Sequence, residues 1–418
     1  MTPQIKKRIE QIRRGEVPEG YKKTKAGTIP FEWDLHPLSK HLIESRIPGT
    51  NGAIAKKLTV KLWNKGVFEK REVHEGSEST TYYKRKSGQL IYSKLDFLNC
   101  AFGIIPEYLD GYESTQDLPC FDVKGVIPNY LLTYVTQRNF YMHFGMIADG
   151  GRKARRVGPE DMLSFPLVYP PLAEQEKIAE ILQTQDKVIE LKEKLIEEKK
   201  RQKKALMQQL LTGKKRLPGF SSEWKKQKMS DILCERKEKN KDQSLRICSV
   251  AVNSGVVDQR EHLGKSMAAS DTSNYNVVHY GDIVYTKSPT GAFPYGIMKQ
   301  SQLTENVAVS PLYGVYEPTS YEIGYLLNEY FMYSNNANGY LLPIINKGAK
   351  NTINISNATF ITPSLYLPTE FEKIKNLVQI FKVANTEIEI LQKDLDQEKQ
   401  KKKALMQLLL TGIVRIGV

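Results

Sequence analysis

The chain carries one eleven-residue stretch twice. Residues 203–213 read KKALMQQLLTG and residues 402–412 read KKALMQLLLTG, so ten of eleven positions agree at an offset of 199 in a chain of 418 residues. Shorter matches keep the same order and are, with their offsets, Glu32-Trp33 with Glu223-Trp224 (191), GQLIYSK at 88–94 with GDIVYTK at 281–287 (193), and YLL at 130–132 with 325–327 (195). Slowly growing offsets are typical of two copies separated by small loop insertions. The sequence therefore predicts two similar domains rather than a solenoid.

The first part of each copy mixes strand and helix patterns. Residues 89–93 and 277–285 are bounded by glycine and alternate in polarity, which predicts strands. Residues 130–140 and 323–333 predict short helices. The predicted fold class is α/β, with two repeated α/β domains.

The second part of each copy predicts a long helix that starts after a proline and contains no internal proline or glycine. Both helices end at Thr-Gly, where Gly213 and Gly412 suit a left-handed cap. The seam positions predicted for the second helix are Ile374, Leu377, Phe381, Ala384, Ile388, Leu391, Leu395, Glu398, Lys402, Leu405 and Leu409. A looser stripe in the first helix consists of Ile178, Ile181, Val188, Leu191 and Leu195.

These apolar stripes need a partner, and the simplest partner for each helix is the other helix. Connectivity makes such a pair antiparallel, because the chain must return after the second domain, and the two domains are then related by an approximate twofold axis. A coiled coil between two chains would satisfy the stripes equally well. The predicted organisation is an N-terminal segment (1–28), a first domain (29–171), a first long helix (172–213), a second domain (214–368), a second long helix (369–412) and a tail (413–418).

A formal net charge of +14, from 61 basic and 47 acidic residues, favours a polyanionic partner, with nucleic acid ahead of a membrane surface. The alternative is simply a soluble basic surface. The opening residues, MTPQIKKRIEQIRRGE, are charged where a secretory signal would be apolar, so we expect a cytoplasmic protein. The four cysteines form no C-x-x-C pair and the six histidines are scattered, so no metal site is expected.

Three segments resemble the specificity subunits of type I restriction-modification systems. They are YKKTKAGTIPFEWDLHPLSK at residues 21–40, PPLAEQEKIAEIL at residues 170–182, and the paired helix ends. The second copy departs from the pattern, with LPTEFEKI at residues 367–374. The resemblance implies that each globular domain is a target recognition domain reading one half of a bipartite, asymmetric DNA site, and that the helices set the spacer.

The resemblance also implies partners and cofactors. The helices would dock two DNA methyltransferase subunits and, through them, restriction/translocase subunits where the system has them. S-adenosylmethionine, ATP and Mg²⁺ would belong to those partners and none would be bound by this chain. The helix residues expected to face partners are Gln175, Ile178, Ile181, Ile374, Leu377 and Phe381.

Catalysis by this chain alone is not expected. The sequence has no Asn-Pro-Pro-Tyr or Asp-Pro-Pro-Tyr motif of amino-methyltransferases, and Gly264-Lys265-Ser266 lacks the earlier glycine of a phosphate-binding loop because Gln259 stands there. No nucleophile-base pair is recognisable, so no catalytic residue is assigned. An enzyme acting on nucleic acid by itself and a coiled-coil scaffold indifferent to DNA remain the alternative hypotheses.

DNA recognition needs cations for phosphates and forked donors for base edges. Such side chains cluster in YYKRKSG (82–88), DGGRKARRVG (149–158), YTKSPTG (285–291) and NKGAKNTINIS (346–356). The candidate DNA contacts are Lys84, Arg85, Lys86, Lys94, Arg152, Lys153, Arg155 and Arg156 in the first copy, and Lys287, Ser288, Lys347, Lys350, Asn351 and Asn354 in the second. The two copies differ in these loops, which predicts two different half-sites.

Overall fold

The computed structural model describes residues 2–417 apart from 72–76, 147–155, 212–214, 216–217, 219–223, 265–267 and 348–352. The chain divides into two compact units. Unit 1 comprises Met1–Glu193 and Lys393–Val418, and unit 2 comprises Lys194–Gln392. Unit 1 is therefore assembled from two segments that are distant in sequence, whereas unit 2 is one continuous segment.

In its described residues, unit 1 opens with helix α1, continues through thirteen short strands and three short helices, and leads into a long helix. In chain order these are α1 (Pro3–Arg13), β1 (Tyr21–Thr24), β2 (Gly27–Pro30), β3 (Asp34–Pro37), β4 (Leu42–Ser45), β5 (Ile47–Asn51), β6 (Leu58–Val60), β7 (Val67–Glu69), β8 (Thr81–Lys84), β9 (Leu90–Tyr92), β10 (Phe102–Ile104), β11 (Glu113–Ser114), β12 (Cys120–Val123), α2 (Pro128–Val135), α3 (Arg138–Gly145), α4 (Pro159–Ser164), β13 (Pro166–Tyr169) and α5 (Leu172–Leu211).

The central sheet of unit 1 has the strand order β10-β9-β12-β4. All three of its pairings are antiparallel. A separate ribbon joins β13 to β3, and a three-stranded sheet has the order β11-β8-β5. The core lies under the central sheet and contains Trp33, Tyr92, Phe102, Phe121 and Tyr130, all fully buried.

Unit 2 repeats this layout with different insertions. In chain order its elements are β14 (Lys225–Lys228), β15 (Leu233–Glu235), β16 (Ile247–Ala251), β17 (Gly255–Asp258), α6 (Gln259–Leu263), β18 (Asn276–Val278), β19 (Ile283–Tyr285), β20 (Met298–Gln300), β21 (Val307–Val309), β22 (Gly314–Pro318), α7 (Tyr321–Phe331), α8 (Ser334–Leu341), β23 (Asn346–Lys347), β24 (Ile353–Asn354), α9 (Asn357–Phe360), β25 (Ser364–Leu367) and α10 (Phe371–Leu410).

The two central sheets match strand for strand. Unit 2 has the order β20-β19-β22-β15, and its β14–β25 ribbon corresponds to the β3–β13 ribbon of unit 1. The helix pair α7–α8 occupies the place of α2–α3 in the element order. The predicted duplication and the α/β class are confirmed. Insertions differ: the sheet β17-β16-β21-β18, which includes a parallel pairing of β16 with β21, belongs to unit 2.

Some sequence-based boundaries need correction. Residues 277–285 form two strands separated by a turn rather than one strand, because Gly281 adopts a left-handed φ of 89° there. Residues 130–140 similarly belong to two helices, α2 and α3, while residues 323–333 fall largely in the single helix α7.

The repeated helix ends close the cores of the two units. In unit 1 the end of α10 packs into the core through Leu409 and Leu410, which are 3% and 1% exposed. In unit 2 the end of α5 does the same through Met207, Leu210 and Leu211. The apolar side chains of the duplicated KKALMQ-LLTG stretch thus fill one end of each core, and we call this stretch the apolar plug. The predicted left-handed cap is present at Gly412, where φ is 68°, whereas Gly213 lies outside the described residues.

Within each unit the segments of α5 and α10 run antiparallel. In unit 1, Gln185 Nε2 donates to Glu398 Oε2 at 2.6 Å, and ion pairs join Lys192 to Asp394 and Lys402 to Asp186. The residue number on one helix falls as that on the other rises. In unit 2 the Nζ of Lys199 lies 2.5 Å from Glu387 Oε1 and that of Lys203 lies 2.5 Å from Asn385 Oδ1, with the same antiparallel sense.

The seam predicted for α10 is confirmed, since each of its positions is buried or half-buried. The stripe predicted for α5 is wrong in part: Ile181, Leu191 and Leu195 are 36%, 55% and 42% exposed. The side chains that face inward on α5 are Ile178, Leu182, Gln185, Ile189, Lys192, Ile196, Lys199, Lys203, Met207 and Leu210. Four of these are Gln or Lys, which pair with polar side chains, so a search for apolar residues alone misses the seam.

The two chain termini meet inside unit 1. Trp33 Nε1 donates to Glu174 Oε2 at 3.1 Å, and Arg415 Nε donates to the same oxygen at 3.2 Å. The Tyr21 hydroxyl donates to the Gly412 carbonyl at 2.7 Å. Trp33 is fully buried, so its indole N–H needs this acceptor. This cluster fastens the tail after α10 to the strands at the start of the chain.

Candidate nucleic-acid interface

The arginine-rich loop of unit 1 is only partly described. Arg152, Lys153 and Arg155 lie outside the described residues. Arg156 is exposed, and its Nη1 lies 3.8 Å from Asp117 Oδ1. Both side chains are about half exposed, at 55% and 45%, so this pair contributes little to stability and leaves Arg156 able to exchange the carboxylate for a phosphate.

Lys94 lies beside this loop. Its main-chain N–H donates to the Asp117 carbonyl at 3.0 Å, and its carbonyl accepts from the Val157 N–H at 3.3 Å. The Tyr92 hydroxyl, at the end of β9, donates to the Val157 carbonyl at 3.1 Å. The structure thus brings together Lys94 and Arg156, two candidates that are 62 positions apart in the sequence.

The basic run at the end of β8 points in two directions. Lys84 and Lys86 are exposed, but Arg85 is only 2% exposed. The Arg85 guanidinium donates from Nε to Ser114 Oγ and from Nη1 to the Ser45 carbonyl, both at 2.8 Å. Burial lowers the pKa of Arg85 from its ordinary value. Arg85 therefore connects β4 to the loop after β11, and the expectation that it contacts DNA is wrong because its guanidinium is buried and hydrogen-bonded within the unit.

The alternation between exposed Lys84 and Lys86 and buried Arg85 follows from strand geometry. Successive side chains on a strand point to opposite faces, so the middle residue of a three-residue run faces the other way from its neighbours. Lys84 ends β8, and Arg85 continues the extended path because its N–H donates to the Tyr112 carbonyl at 2.8 Å. Two of the three cations remain available to a ligand.

In unit 2, Lys287 and Ser288 follow β19. Lys287 is half-buried and Ser288 is exposed. Burial lowers the pKa of Lys287, and the nearby Glu235 carboxylate opposes that shift. Glu235 Oε1 accepts from Asn357 Nδ2 at 2.7 Å. Lys287 thus lies near a carboxylate at the strand end and is half-buried, as is Lys94 of unit 1.

The asparagine-rich segment of unit 2 forms a small hairpin. Strand β23 pairs antiparallel with β24, and Asn346 lies opposite Asn354 while Lys347 lies opposite Ile353. The backbone therefore places Lys347 and Asn354 on the two arms of one hairpin. Lys350 and Asn351 lie outside the described residues, as do the side chains of Lys347 and Asn354.

The helix residues expected to face partners mostly face the protein core. Gln175 is fully buried, and its amide donates to the Pro170 carbonyl at 2.8 Å and accepts from the Ile127 N–H at 3.0 Å. The buried residues Ile178 in unit 1 and Ile374, Leu377 and Phe381 in unit 2 each belong to a core. Ile181 is the exception at 36% exposed. The first turns of both helices are anchors for their own units.

Sequence reasoning missed one basic feature of unit 1. The turn between β6 and β7 carries Trp63, which is 58% exposed, between the exposed Lys61 and Lys65. The signal was present as KLWNKG, an aromatic residue between lysines ahead of a glycine. This pattern alone does not predict an exposed indole, because tryptophan in a folded protein is on average strongly buried.

Residues 115–201 match the family described as "Type I restriction modification DNA specificity domain". In the structure this segment runs from the end of β11 through β12, α2–α4 and β13 into α5. This segment of the chain is therefore similar to the type I restriction-modification DNA specificity domain. The matched segment contains the strand-to-helix junction at Pro170 and Pro171 and the buried Gln175 amide described above.

Two solved structures with a TM-score of 0.54 share the fold of this chain, and a third is similar at a lower score. The type I restriction-modification system S subunit from M. genitalium is 11% identical, with 90% of this chain and 96% of that chain covered and a TM-score of 0.54. A chain from a structure of complex assembly and conformational transition of the type I R-M system is 12% identical, with 92% and 99% covered and a TM-score of 0.54. The HsdS subunit from Thermoanaerobacter tengcongensis is 14% identical, with 92% and 98% covered and a TM-score of 0.46. The similarity to the two chains with a TM-score of 0.54 extends over nearly the whole length of each.

In the described part of the chain, no helix combines the length and apolar character needed to cross a membrane. His, Cys, Asp and Glu side chains form no group of three or more suited to a metal ion in those residues. Burial raises the pKa of the Cys100 and Cys120 thiols to about 12, so neither is a reactive thiolate at neutral pH.

Proposed function

We propose that the chain is the DNA-reading subunit of a type I restriction-modification complex, in which unit 1 and unit 2 each read one half of a bipartite, asymmetric site. The observation that carries this proposal is the pair of matching central sheets with unlike insertions. A shared framework places the reading loops in equivalent positions, and different loops on that framework read different bases.

Four cations, of which Lys94 is half-buried and the others are exposed, support a DNA partner for unit 1. Lys84, Lys86, Lys94 and Arg156 lie on loops or strand ends of one unit and belong to a chain with an excess of fourteen positive charges. Lysine and arginine supply most of the affinity for phosphate, whereas base-edge contacts determine the sequence read. The β23–β24 hairpin of unit 2 is our candidate for base contacts, since asparagine can donate and accept at one adenine edge.

In this proposal the chain performs no catalysis, and the long helices fix the spacer and dock two methyltransferase subunits. Restriction/translocase subunits join through those partners where the system encodes them. S-adenosylmethionine, ATP and Mg²⁺ bind to the partner subunits and not to this chain. Support comes from the family match and from solved relatives, one of which belongs to a structure of type I complex assembly.

The test is methylome sequencing of cells that carry the chain with its co-encoded methyltransferase. We expect a bipartite methylated motif that disappears when the chain is deleted. Lys94→Ala combined with Arg156→Ala should weaken binding by the purified complex and flatten its salt dependence, by about 0.9 in logarithmic slope for each phosphate that is no longer neutralised.

The matched control is Lys287→Ala in unit 2. Any relaxed specificity of the unit 1 variant should fall in one half of the motif, and that of the control in the other half. Errors spread equally over both halves would contradict the two-reader proposal. Methyl transfer or ATP hydrolysis by the purified chain alone would instead favour a stand-alone enzyme, and an unchanged methylome after deletion would favour a scaffold.

A further inference from the structure

The β6–β7 hairpin of unit 1 is a basic projection with an aromatic tip. Its flanks and strands, residues 56–71, contain six basic residues and one acidic residue, a net charge of 6 − 1 = +5. The acidic residue, Glu69, accepts from the Tyr112 hydroxyl at 3.4 Å. Lys61 and Lys65 are exposed on either side of Trp63, and neither is ion-paired to any described residue.

The tip is held in an unusual backbone conformation. Trp63 and the following Asn64 have φ values of 59° and 53°, in the left-handed region that residues with a side chain rarely adopt. Their N–H groups donate to the Asn99 and Cys100 carbonyls, both at 2.8 Å. Strain of this kind persists only where the surroundings impose it, and it concentrates at functional positions. The indole is therefore presented from a fixed support.

The inner face of the hairpin is packed and the outer face is not. Leu58, Val60 and Val67 are buried in a small core cluster. A side chain added at Gly103 would approach Val67 Cγ2 to 2.5 Å, so the hairpin lies close against β10. On the outer side Trp63 is 58% exposed and Phe68 is 44% exposed. An exposed indole on a rigid base is poorly explained by folding requirements alone.

In unit 2 the hairpin that follows β15, the strand matching β4, is formed by β16 and β17. It turns through Val252, Asn253 and Ser254, none of which is aromatic. The aromatic tip thus distinguishes the β6–β7 hairpin from the β16–β17 hairpin, and it is not demanded by the shared framework.

We propose that the β6–β7 hairpin is a DNA wedge: Trp63 stacks on a base at a step opened or kinked by unit 1, and Lys61 and Lys65 neutralise the phosphates on either side. This inference rests on the proposed function. An exposed indole between two lysines favours DNA over a protein partner. The cores of protein interfaces are depleted in lysine, whereas protein side chains that wedge between or stack on DNA bases are accompanied by cations.

The experiment uses the full chain co-purified with its methyltransferase subunits and a fluorescent duplex that contains the methylated motif. A scrambled duplex of the same length serves as reference. Trp63→Ala should weaken binding to the motif about tenfold, while Trp63→Phe should retain most of the affinity because phenylalanine also stacks. Lys61→Ala with Lys65→Ala should lower the logarithmic salt slope by about two units.

A spectroscopic readout separates stacking from a general weakening of binding. The fluorescence difference between wild type and Trp63→Phe reports the Trp63 indole, and we expect DNA to quench it. The control is Tyr366→Ala, which removes an aromatic ring of similar exposure, 65%, from unit 2. That variant should bind the motif like wild type.

The outcomes distinguish the two proposals. Failure of the wild-type complex to prefer the motif over the scrambled duplex would contradict the proposed function. If wild type discriminates but the Trp63→Ala and double-lysine variants bind like wild type, the wedge is overturned and the proposed function stands. Dissociation of methyltransferase from the purified Trp63→Ala complex, with normal DNA affinity of what assembles, would overturn the wedge in favour of a protein contact.

Discussion

The two units use the same lysine of the repeated helix end in different ways. In unit 1, Lys402 pairs with Asp186 of the antiparallel helix, and the Asp186 side chain is 51% exposed. In unit 2 the equivalent Lys203 is 9% exposed, and its Nζ lies 2.7 Å from Oε2 of Glu329, whose side chain is 3% exposed. The repeat preserves backbone and residue type, but the setting changes from a surface pair to a buried one.

Unit 2 also buries a second lysine beside this pair. Lys299, on β20, is 5% exposed, and burial lowers its pKa to about 8 although the Glu329 carboxylate opposes that shift. The corresponding strand of unit 1, β10, has Gly103 against Val67. Similar sheets thus enclose a charged cluster in unit 2 and apolar contacts in unit 1. The charged cluster is compatible with this fold only if each buried charge keeps its partner.

The largest expected effect comes from removing the shared carboxylate of unit 2. Glu329→Ala leaves Lys203 and Lys299 buried without an anion and also removes the acceptor that Asn385 Nδ2 reaches at 3.0 Å. Breaking a buried pair on one side costs about 3–5 kcal/mol. Hydrogen exchange resolved by peptide should show reduced protection in unit 2.

Asp186→Ala is the matched variant for unit 1. Its pair with Lys402 is partly exposed, so the cost should stay below about 1 kcal/mol. Equal destabilisation by the two variants would contradict the distinction between a surface pair and a buried pair.

The apolar plugs give the next largest effect. Leu410→Ala should destabilise unit 1, and Leu210→Ala should destabilise unit 2, each by about 3 kcal/mol, because both side chains are at most 2% exposed in their cores. Peptide-level hydrogen exchange again assigns the destabilisation to a unit. Reduced protection in unit 2 on Leu410→Ala would show that α10 does not end in the core of unit 1.

Much of the framework was predictable because repetition and periodicity survive in the sequence. The heptad of α10 is nearly all apolar, so its seam was visible. The seam of α5 was not visible, because Gln185, Lys192 and Lys203 occupy inward positions where they meet polar partners from distant segments. Such pairings arise from the tertiary structure, so no local sequence pattern predicts them.

The candidate interface was less predictable than the fold. Charge alone placed Lys84, Arg85 and Lys86 together, but strand alternation turns the middle residue inward. Trp63 escaped notice because exposure depends on the left-handed turn and its anchoring carbonyls at Asn99 and Cys100, which lie more than thirty residues away. The proximity of Lys94 to Arg156 likewise arises from the sheet and not from sequence spacing.

The last prediction tests the buried charge of Lys299 directly. Its pKa is about 8 in the folded protein and 10.5 when unperturbed, so the unfolded chain binds more protons between those values and stability rises with pH there. Lys299→Met removes the buried charge while keeping the stem, and Glu329 retains Lys203 as its partner. The variant should therefore be more stable than wild type at pH 7, by on the order of 2 kcal/mol.

The difference between Lys299→Met and wild type should shrink as the pH rises from 7 to 10, because wild type loses the proton of Lys299 in its folded state near pH 8. Taking the difference is essential, since burial also raises the pKa of Cys248 to about 11 and of Tyr325 to about 12, and these groups lower stability as pH rises. Both proteins contain them, so they cancel. Urea unfolding at pH 7, 8, 9 and 10 measures the difference. A stability difference that stays constant from pH 7 to pH 10 would mean that Lys299 keeps its charge in the folded protein. The anionic partners of Lys299 would then offset more of the cost of its burial than its exposure indicates.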